Sequence, residues 1–152
     1  MRIAVVHGPS LNLLGRREPE LYGRTTLPEI DARLRDLGRE LGVEIESVQA
    51  NGEGELVDFI QERAARVAGF LVNAGGYTHS SVALLDALLA TGRPFIEVHL
   101  TNLHAREPFR HRSLLSARAA GVVMGFGPES YLLGLRGLVA RLRGEAGAPK
   151  LS

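Results

Sequence analysis

Five short apolar runs constrain this chain more than any other feature. They are Ile3-Ala4-Val5-Val6, Val43 to Gln49, Gly69 to Asn73, Pro94 to Val98 and Gly121 to Met124, and they alternate with segments of helical spacing. Val43 to Gln49 alternates, with Glu44 and Glu46 on one side, while the others are largely continuous runs, the pattern of strands buried on both faces. Such strands alternating with helices predict an α/β fold: a five-stranded parallel sheet with helices on both faces. Sheets of this kind bind ligands outside the carboxyl ends of their strands, where the strand order reverses. In the common flavodoxin-like order 2-1-3-4-5 that point lies between strands one and three. The loops starting at Gly8, Ala74 and His99 border it, and they are the three richest in polar functional groups.

The helical segments carry their own signals. Thr26-x-x-Glu29 is a capping box, followed by Ile30, Leu34, Leu37 and Leu41 at helical spacing until Gly42. A second helix has Leu56, Phe59, Ile60 and Ala64 on its inner face. A third, Ser80 to Thr91, is apolar almost all the way round, with Asp86 its only charge. A helix with no polar stripe is covered on every side, so another subunit is expected against its outer face. Gly127-Pro128 reads as an N-cap and first-turn proline for the last helix. Residues 1–143 are expected to form one domain, with a loose tail over 144–152. The segment Ser10 to Arg24 shows no clean period and exceeds the usual βα connection of about 2–6 residues, so it reads as a functional lid.

Composition removes several function classes. The net charge of the 152 residues is only +1, which argues against nucleic acid as a partner. With no cysteine there is no disulfide, thiolate zinc site or thiol nucleophile. No apolar run is long enough to span a bilayer and the N-terminus reads as a strand, so no membrane association and a cytoplasmic location are expected.

Candidate chemistry concentrates in PFIEVHLTNLHAREPFRHRS, Pro94 to Ser113. A buried strand there empties into His99, His104, Arg106, Arg110, His111 and Arg112, opposed only by Glu107. A lone histidine at a strand end is commonly a core or capping residue. Here Glu97 lies two residues earlier on the same strand face and can fix the imidazole tautomer, which favours proton transfer. Tyr22, at the far end of the long first loop, has Arg16, Arg17 and Arg24 close in sequence. Neighbouring cations favour the phenolate and draw a tyrosine pKa down from about 10, making a general base. Asn73 and the backbone N–H groups of Gly75 and Gly76 can hold ligand oxygens, although a glycine pair is also simply a tight turn. Arg106, Arg110 and Arg112 are either a solvated face or the partners of a ligand carboxylate. His79 is a capping residue or a ligand contact. His7, His104 and His111 lack metal-binding spacing, so no metal site is expected.

Taken together, HGPSLNLLGRREPELYG, QANGEGELVDFI, NAGGYTHSSVALLDAL, IEVHLTNLHAREPFRHRS and GFGPESYLLGL resemble the type II 3-dehydroquinase (3-dehydroquinate dehydratase) family, from about Ile3 to about Leu142. The resemblance implies a flavodoxin-like fold and a dodecamer built as a tetramer of trimers. It implies dehydration of 3-dehydroquinate to 3-dehydroshikimate by cofactor-free anti elimination through an enolate. Carried onto these residues, it makes Tyr22 the base, held as tyrosinate by Arg17, and His99 the acid, oriented by Glu97. Asn73, His79, Arg110 and the backbone amides of Leu100 and Thr101 bind substrate, with Arg106 positioning the lid. Asp86 belongs to a site completed by an adjacent subunit. Two positions depart from the family pattern. Ser10 stands where an asparagine usually holds a water against the enolate oxygen, and a serine hydroxyl is expected to hold it more weakly. Gly52 stands where histidine is common, outside the core chemistry.

Two other readings compete. A non-catalytic small-anion binding or sensor domain would use the same arginines and amides without needing Tyr22 or a Glu97-backed His99. A flavin or nucleotide binder would need a phosphate loop after strand one, where neither GxGxxG nor a P-loop is found.

Overall fold

The computed structural model describes residues 1–144. Its elements run β1 (Arg2–His7), α1 (Pro19–Tyr22), α2 (Leu27–Leu41), β2 (Glu44–Gln49), α3 (Glu53–Arg63), β3 (Gly69–Asn73), α4 (Val82–Ala90), β4 (Phe95–His99), β5 (Gly121–Met124) and α5 (Glu129–Leu142). All five strands are parallel, in the order β2-β1-β3-β4-β5. This is the doubly wound sheet expected from the apolar runs.

Strand alternation divides the core into two layers. Ile3, Val5, Leu71, Ile96 and Val98 face α2 and α5, packing on Ile30, Leu34, Tyr131, Leu135 and Leu138. Ala4, Val6, Phe70, Val72 and Phe95 face α3 and α4, packing on Leu56, Phe59, Ile60, Leu84 and Leu88. Helix α2 begins as its capping signal predicts: the Thr26 side chain accepts from the Glu29 N–H, and Gly42 closes the helix in a left-handed conformation.

Three local expectations change. The Ser10–Arg24 segment contains a 3₁₀ turn, Leu11–Leu13, and the single-turn α1. Leu11 and Leu14 are buried in the α2/α5 layer, so isolated core contacts organise this loop without a helical period. Helix α4 starts at Val82 with Ser81 as its N-cap, because the Ala74–His79 loop is itself a 3₁₀ turn over Gly75–His79. Pro128 is the N-cap of α5, not its first-turn residue, and Gly127 precedes it with φ 60°.

The outer face of α4 presents Val82, Ala83, Asp86 and Ala90 to solvent in the single chain. Among the described residues no helix is long and apolar enough to cross a membrane. Of the expected tail, only Gly144 falls within the described residues; 145–152 lie outside them.

Candidate active site

The carboxyl ends of β1, β3 and β4 open into one cavity at the reversal of strand order. What lets them converge is a missing side chain. A Cβ on Gly8 would stand 2.2 Å from the carbonyl oxygen of Ala74. The Gly8 N–H instead donates to the Asn73 carbonyl at 2.7 Å, locking the two strand exits together. Gly75 follows with φ 58°, and its N–H donates to Asn73 Oδ1 at 3.2 Å. One end of the Asn73 amide is thereby fixed while the residue lines the cavity.

At the end of β4, His99 Nε2 lies 2.5 Å from Glu97 Oε2. The other Glu97 oxygen accepts from Ser116 Oγ at 2.6 Å. Glu97 is wholly buried. Burial opposes its charge, but the hydrogen bonds from His99 and Ser116, the His99 charge and Ser113 outweigh it and hold the carboxyl below the usual carboxylate range. A carboxylate accepts only, so Nε2 carries the proton and Nδ1 is the nitrogen left for a ligand.

Across the cavity stands Tyr22, half-buried against the α2/α5 core layer. The guanidinium of Arg17 lies 5.7 Å from its ring centroid and that of Arg106 lies 5.4 Å away. Sequence proximity had grouped Arg16, Arg17 and Arg24 around this ring. Of these three only Arg17 lines the cavity, and the second cation arrives from the loop after β4. Both guanidinium groups thus lie within cation–π range of the Tyr22 ring.

Ser10, Gly75, Gly76, His79, Leu100, Thr101 and Arg110 complete the polar lining expected from the sequence. The backbone N–H groups of Leu100 and Thr101 have no backbone partner among the described residues. His79 Nδ1 is bonded to the Arg112 carbonyl at 2.8 Å, which sets its ring as a cavity wall. Arg110 pairs with Glu107 at 2.9 Å, and that hydrogen bond holds the Glu107 carboxyl below its ordinary range. Glu97 stands behind His99, outside the lining. Asp86 lies on the exposed face of α4, and its own chain's cavity does not include it.

Sequence patterns gave no warning of a buried trio behind Asn73. His7 is fully buried. Its Nδ1 lies 2.8 Å from the Tyr131 hydroxyl and its Nε2 lies 2.8 Å from Asp31 Oδ1. Burial opposes the Asp31 charge, yet the hydrogen bond and charge of His7, with Ser47 and Arg35, hold that carboxyl below the usual range. Burial pushes the Tyr131 phenol well above its ordinary value. The available signal was a polar residue closing an otherwise apolar strand, with Asp31 one position beyond the core residue Ile30.

The model of the family described as "Dehydroquinase class II" matches residues 1–139. The chain belongs to the class II dehydroquinase family. Among its relatives, the 3-dehydroquinate dehydratase of Synechococcus sp. (strain WH7803) is 54% identical over 144 residues, covering 95% of this chain and 98% of that protein. That of Desulforudis audaxviator (strain MP104C) is 53% identical over 139 residues, covering 91% and 93%. The crystal structure of type II dehydroquinase from Propionibacterium acnes superposes with a TM-score of 0.87 at 40% identity, covering 91% of this chain and 96% of that one. Class II dehydroquinase membership accounts for the shared fold and strand order, while the site geometry above is this chain's own.

Proposed function

We propose that this chain dehydrates 3-dehydroquinate to 3-dehydroshikimate, a hydro-lyase reaction of aromatic amino acid biosynthesis. The observation that carries the reading is that Tyr22 and a Glu97-backed His99 line one cavity.

The reaction needs a base for a C–H acid beside a ketone, a holder for enolate charge, and an acid for the departing hydroxyl. Tyr22 as phenolate takes the C2 proton, with Arg17 and Arg106 stabilising its charge beforehand. The electron pair left at C2 becomes the enolate, its oxygen held through a water on Ser10. Collapse of the enolate expels the C1 hydroxyl, which leaves as water with a proton from His99 Nδ1. The product is a conjugated enone carboxylate. Tyr22 ends with the proton gained and His99 with one lost, and exchange with solvent resets both. Asn73, His79, Arg110 and the amides of Leu100 and Thr101 bind the hydroxyls and carboxylate, with Gly75 and Gly76 letting the chain approach closely. No cofactor enters any of these steps.

The same proposal extends to assembly and location. Residues 1–143 act as one cytoplasmic catalytic unit in a homo-oligomer, a dodecamer arranged as a tetramer of trimers. The apolar outer face of α4 supports burial between subunits, and Asp86 on that face would reach a neighbour's cavity. A non-catalytic anion-binding role finds less support, since it leaves the Glu97–His99 pair without a purpose. The test is ultraviolet absorbance on mixing purified protein with 3-dehydroquinate. Enone absorbance growing in proportion to enzyme is expected; a flat trace at high enzyme concentration overturns the reading.

A further inference from the structure

A carboxylate gripped by one oxygen can still swivel about its terminal bond, because that torsion is broad. Glu97 is gripped by both. Its Oε2 takes the His99 Nε2–H at 2.5 Å, and its Oε1 accepts from Ser116 Oγ at 2.6 Å. Ser116 lies outside the cavity lining, and the proton transfers above give it no part.

The segment between the arginine loop and β5 is built to deliver that hydroxyl. Phe95, Glu97 and His99 share one face of β4, and Phe95 packs in the same core layer as the wholly buried Leu115. Burying Leu115 in that layer sets its neighbour Ser116 beside the strand. Ser113 fixes the turn: its Oγ accepts from the Leu115 N–H at 3.0 Å and from the Ser116 N–H at 3.1 Å, a local serine bond that closes the chain on itself. Upstream, the Leu114 N–H donates to the Thr78 carbonyl at 2.9 Å, and the Arg112 carbonyl is bonded to His79 Nδ1 at 2.8 Å. Downstream, the Ala120 N–H donates to the Phe95 carbonyl at 2.8 Å. Ser116 therefore stands on backbone braced on either side.

We propose that Ser116 is a positioning residue for the dehydration: by holding Oε1 it sets the plane of the Glu97 carboxylate, and through that plane the aim of His99 Nδ1 at the cavity. The proposal rests on the function inferred above. Two anchored oxygens define a plane, and an N–H donor meets an sp² oxygen best near it. With Oε1 released the carboxylate turns, the Nε2–H follows it or loses its bond, and the opposite nitrogen swings with the ring. Burial disfavours the charged form of Glu97, and the bonds from His99 and Ser116 counter that effect. Losing the serine bond therefore also weakens the carboxylate that fixes the tautomer.

Two measurements on the full chain decide this. In proton NMR the His99 Nε2 proton is assigned by its loss in His99→Gln. Its exchange with water should be about tenfold faster in Ser116→Ala, the scale of one hydrogen bond. An unchanged exchange rate overturns the proposal. In steady-state kinetics Ser116→Ala should lower kcat for 3-dehydroquinate by about 10–100-fold, as expected for one hydrogen bond to a charged group. KM should stay within about threefold, because Ser116 does not line the cavity. In a Glu97→Gln background the same substitution should cost about twofold at most, since it acts only through the carboxylate. Equal losses in both backgrounds, or a raised KM with native kcat, refute the assignment. Should Ser116→Ala fold poorly, Ser116→Cys keeps the shape with a weak donor and should change exchange and kcat in the same direction. If the wild-type protein does not turn over 3-dehydroquinate, the functional reading fails, and the exchange rate still decides whether Ser116 holds the Glu97–His99 pair.

Discussion

Tyr22 takes one of its two flanking cations from a distant part of the chain: the Arg106 guanidinium stands 5.4 Å from its ring centroid. The loop bearing Tyr22 and the loop that follows His99 are thus coupled by a contact that neither contains alone. Arg106→Ala should lower kcat by roughly tenfold or more, as expected when a cation that favours the phenolate form of the proposed base is removed. It should do so even though Arg17 remains. Normal turnover in that variant would show that Arg17 suffices.

Removing only the phenolic oxygen gives the sharpest test of Tyr22 as the proposed base. Tyr22→Phe is expected to reduce kcat by about 10²–10⁴-fold, the usual span for general base catalysis. KM should change by a few-fold at most, since the ring and its packing survive. Stopped-flow absorbance with 3-dehydroquinate measures both.

Glu97 links activity and stability through pH. Its carboxyl is held below the ordinary glutamate value of about 4.3. In acid the unfolded chain therefore binds a proton that the folded chain refuses. The stabilisation is fully present above the unfolded value and is lost as pH falls through the folded one. Asp31 acts with the same sign. Melting temperature should drop on acidification below about pH 4.3, and Glu97→Gln should flatten part of that limb. At neutral pH the same variant should lose about 10²-fold or more in kcat, because an amide offers His99 Nε2 either a donor or an acceptor and no longer fixes the tautomer.

Ser10 adopts φ 67°, the left-handed region that side chains other than asparagine, aspartate and glycine rarely occupy. The asparagine that the family resemblance implies at this position would fit this backbone conformation better than serine. Ser10→Asn should raise stability by up to about 1 kcal/mol in chemical denaturation. If the serine hydroxyl holds the enolate water weakly, the same change raises kcat. An unchanged rate would leave only the conformational effect standing.

Gly8 has no comparable freedom to lose. A methyl group there meets the Ala74 carbonyl, so Gly8→Ala must push the exits of β1 and β3 apart. A loss of roughly 1–3 kcal/mol is expected from overpacking, with a KM increase because Asn73 moves with its strand. Native KM in a well-folded Gly8→Ala protein would contradict the locking contact.

How much was legible beforehand depends on the range of the interactions involved. The strands and the capping of α2 arise from local periodicity and capping chemistry, which sequence displays directly, while the strand order followed from the common order of such folds. His99 and Glu97 were legible for the same reason, lying two residues apart on one strand. Arg106 against Tyr22 and His7 against Asp31 and Tyr131 are contacts that chain folding creates, and no local pattern encodes them. The first loop hid its order because Leu11 and Leu14 are isolated anchors, buried by tertiary packing. Ser10 looked like a change of side-chain chemistry, whereas its backbone angle is visible only in three dimensions.

The two leucine anchors have one more effect. They pin the early part of that loop into the α2/α5 layer, while left-handed glycines at Gly15 and Gly23, with φ 89° and 78°, bracket its later part. The strip carrying Arg17 and Tyr22 lies between these two glycines, touching the core layer through Tyr22. Exposed positions between the glycines can therefore be substituted with little effect on the two anchored leucines, so the cavity's outer rim can diverge while the sheet beneath it keeps its packing.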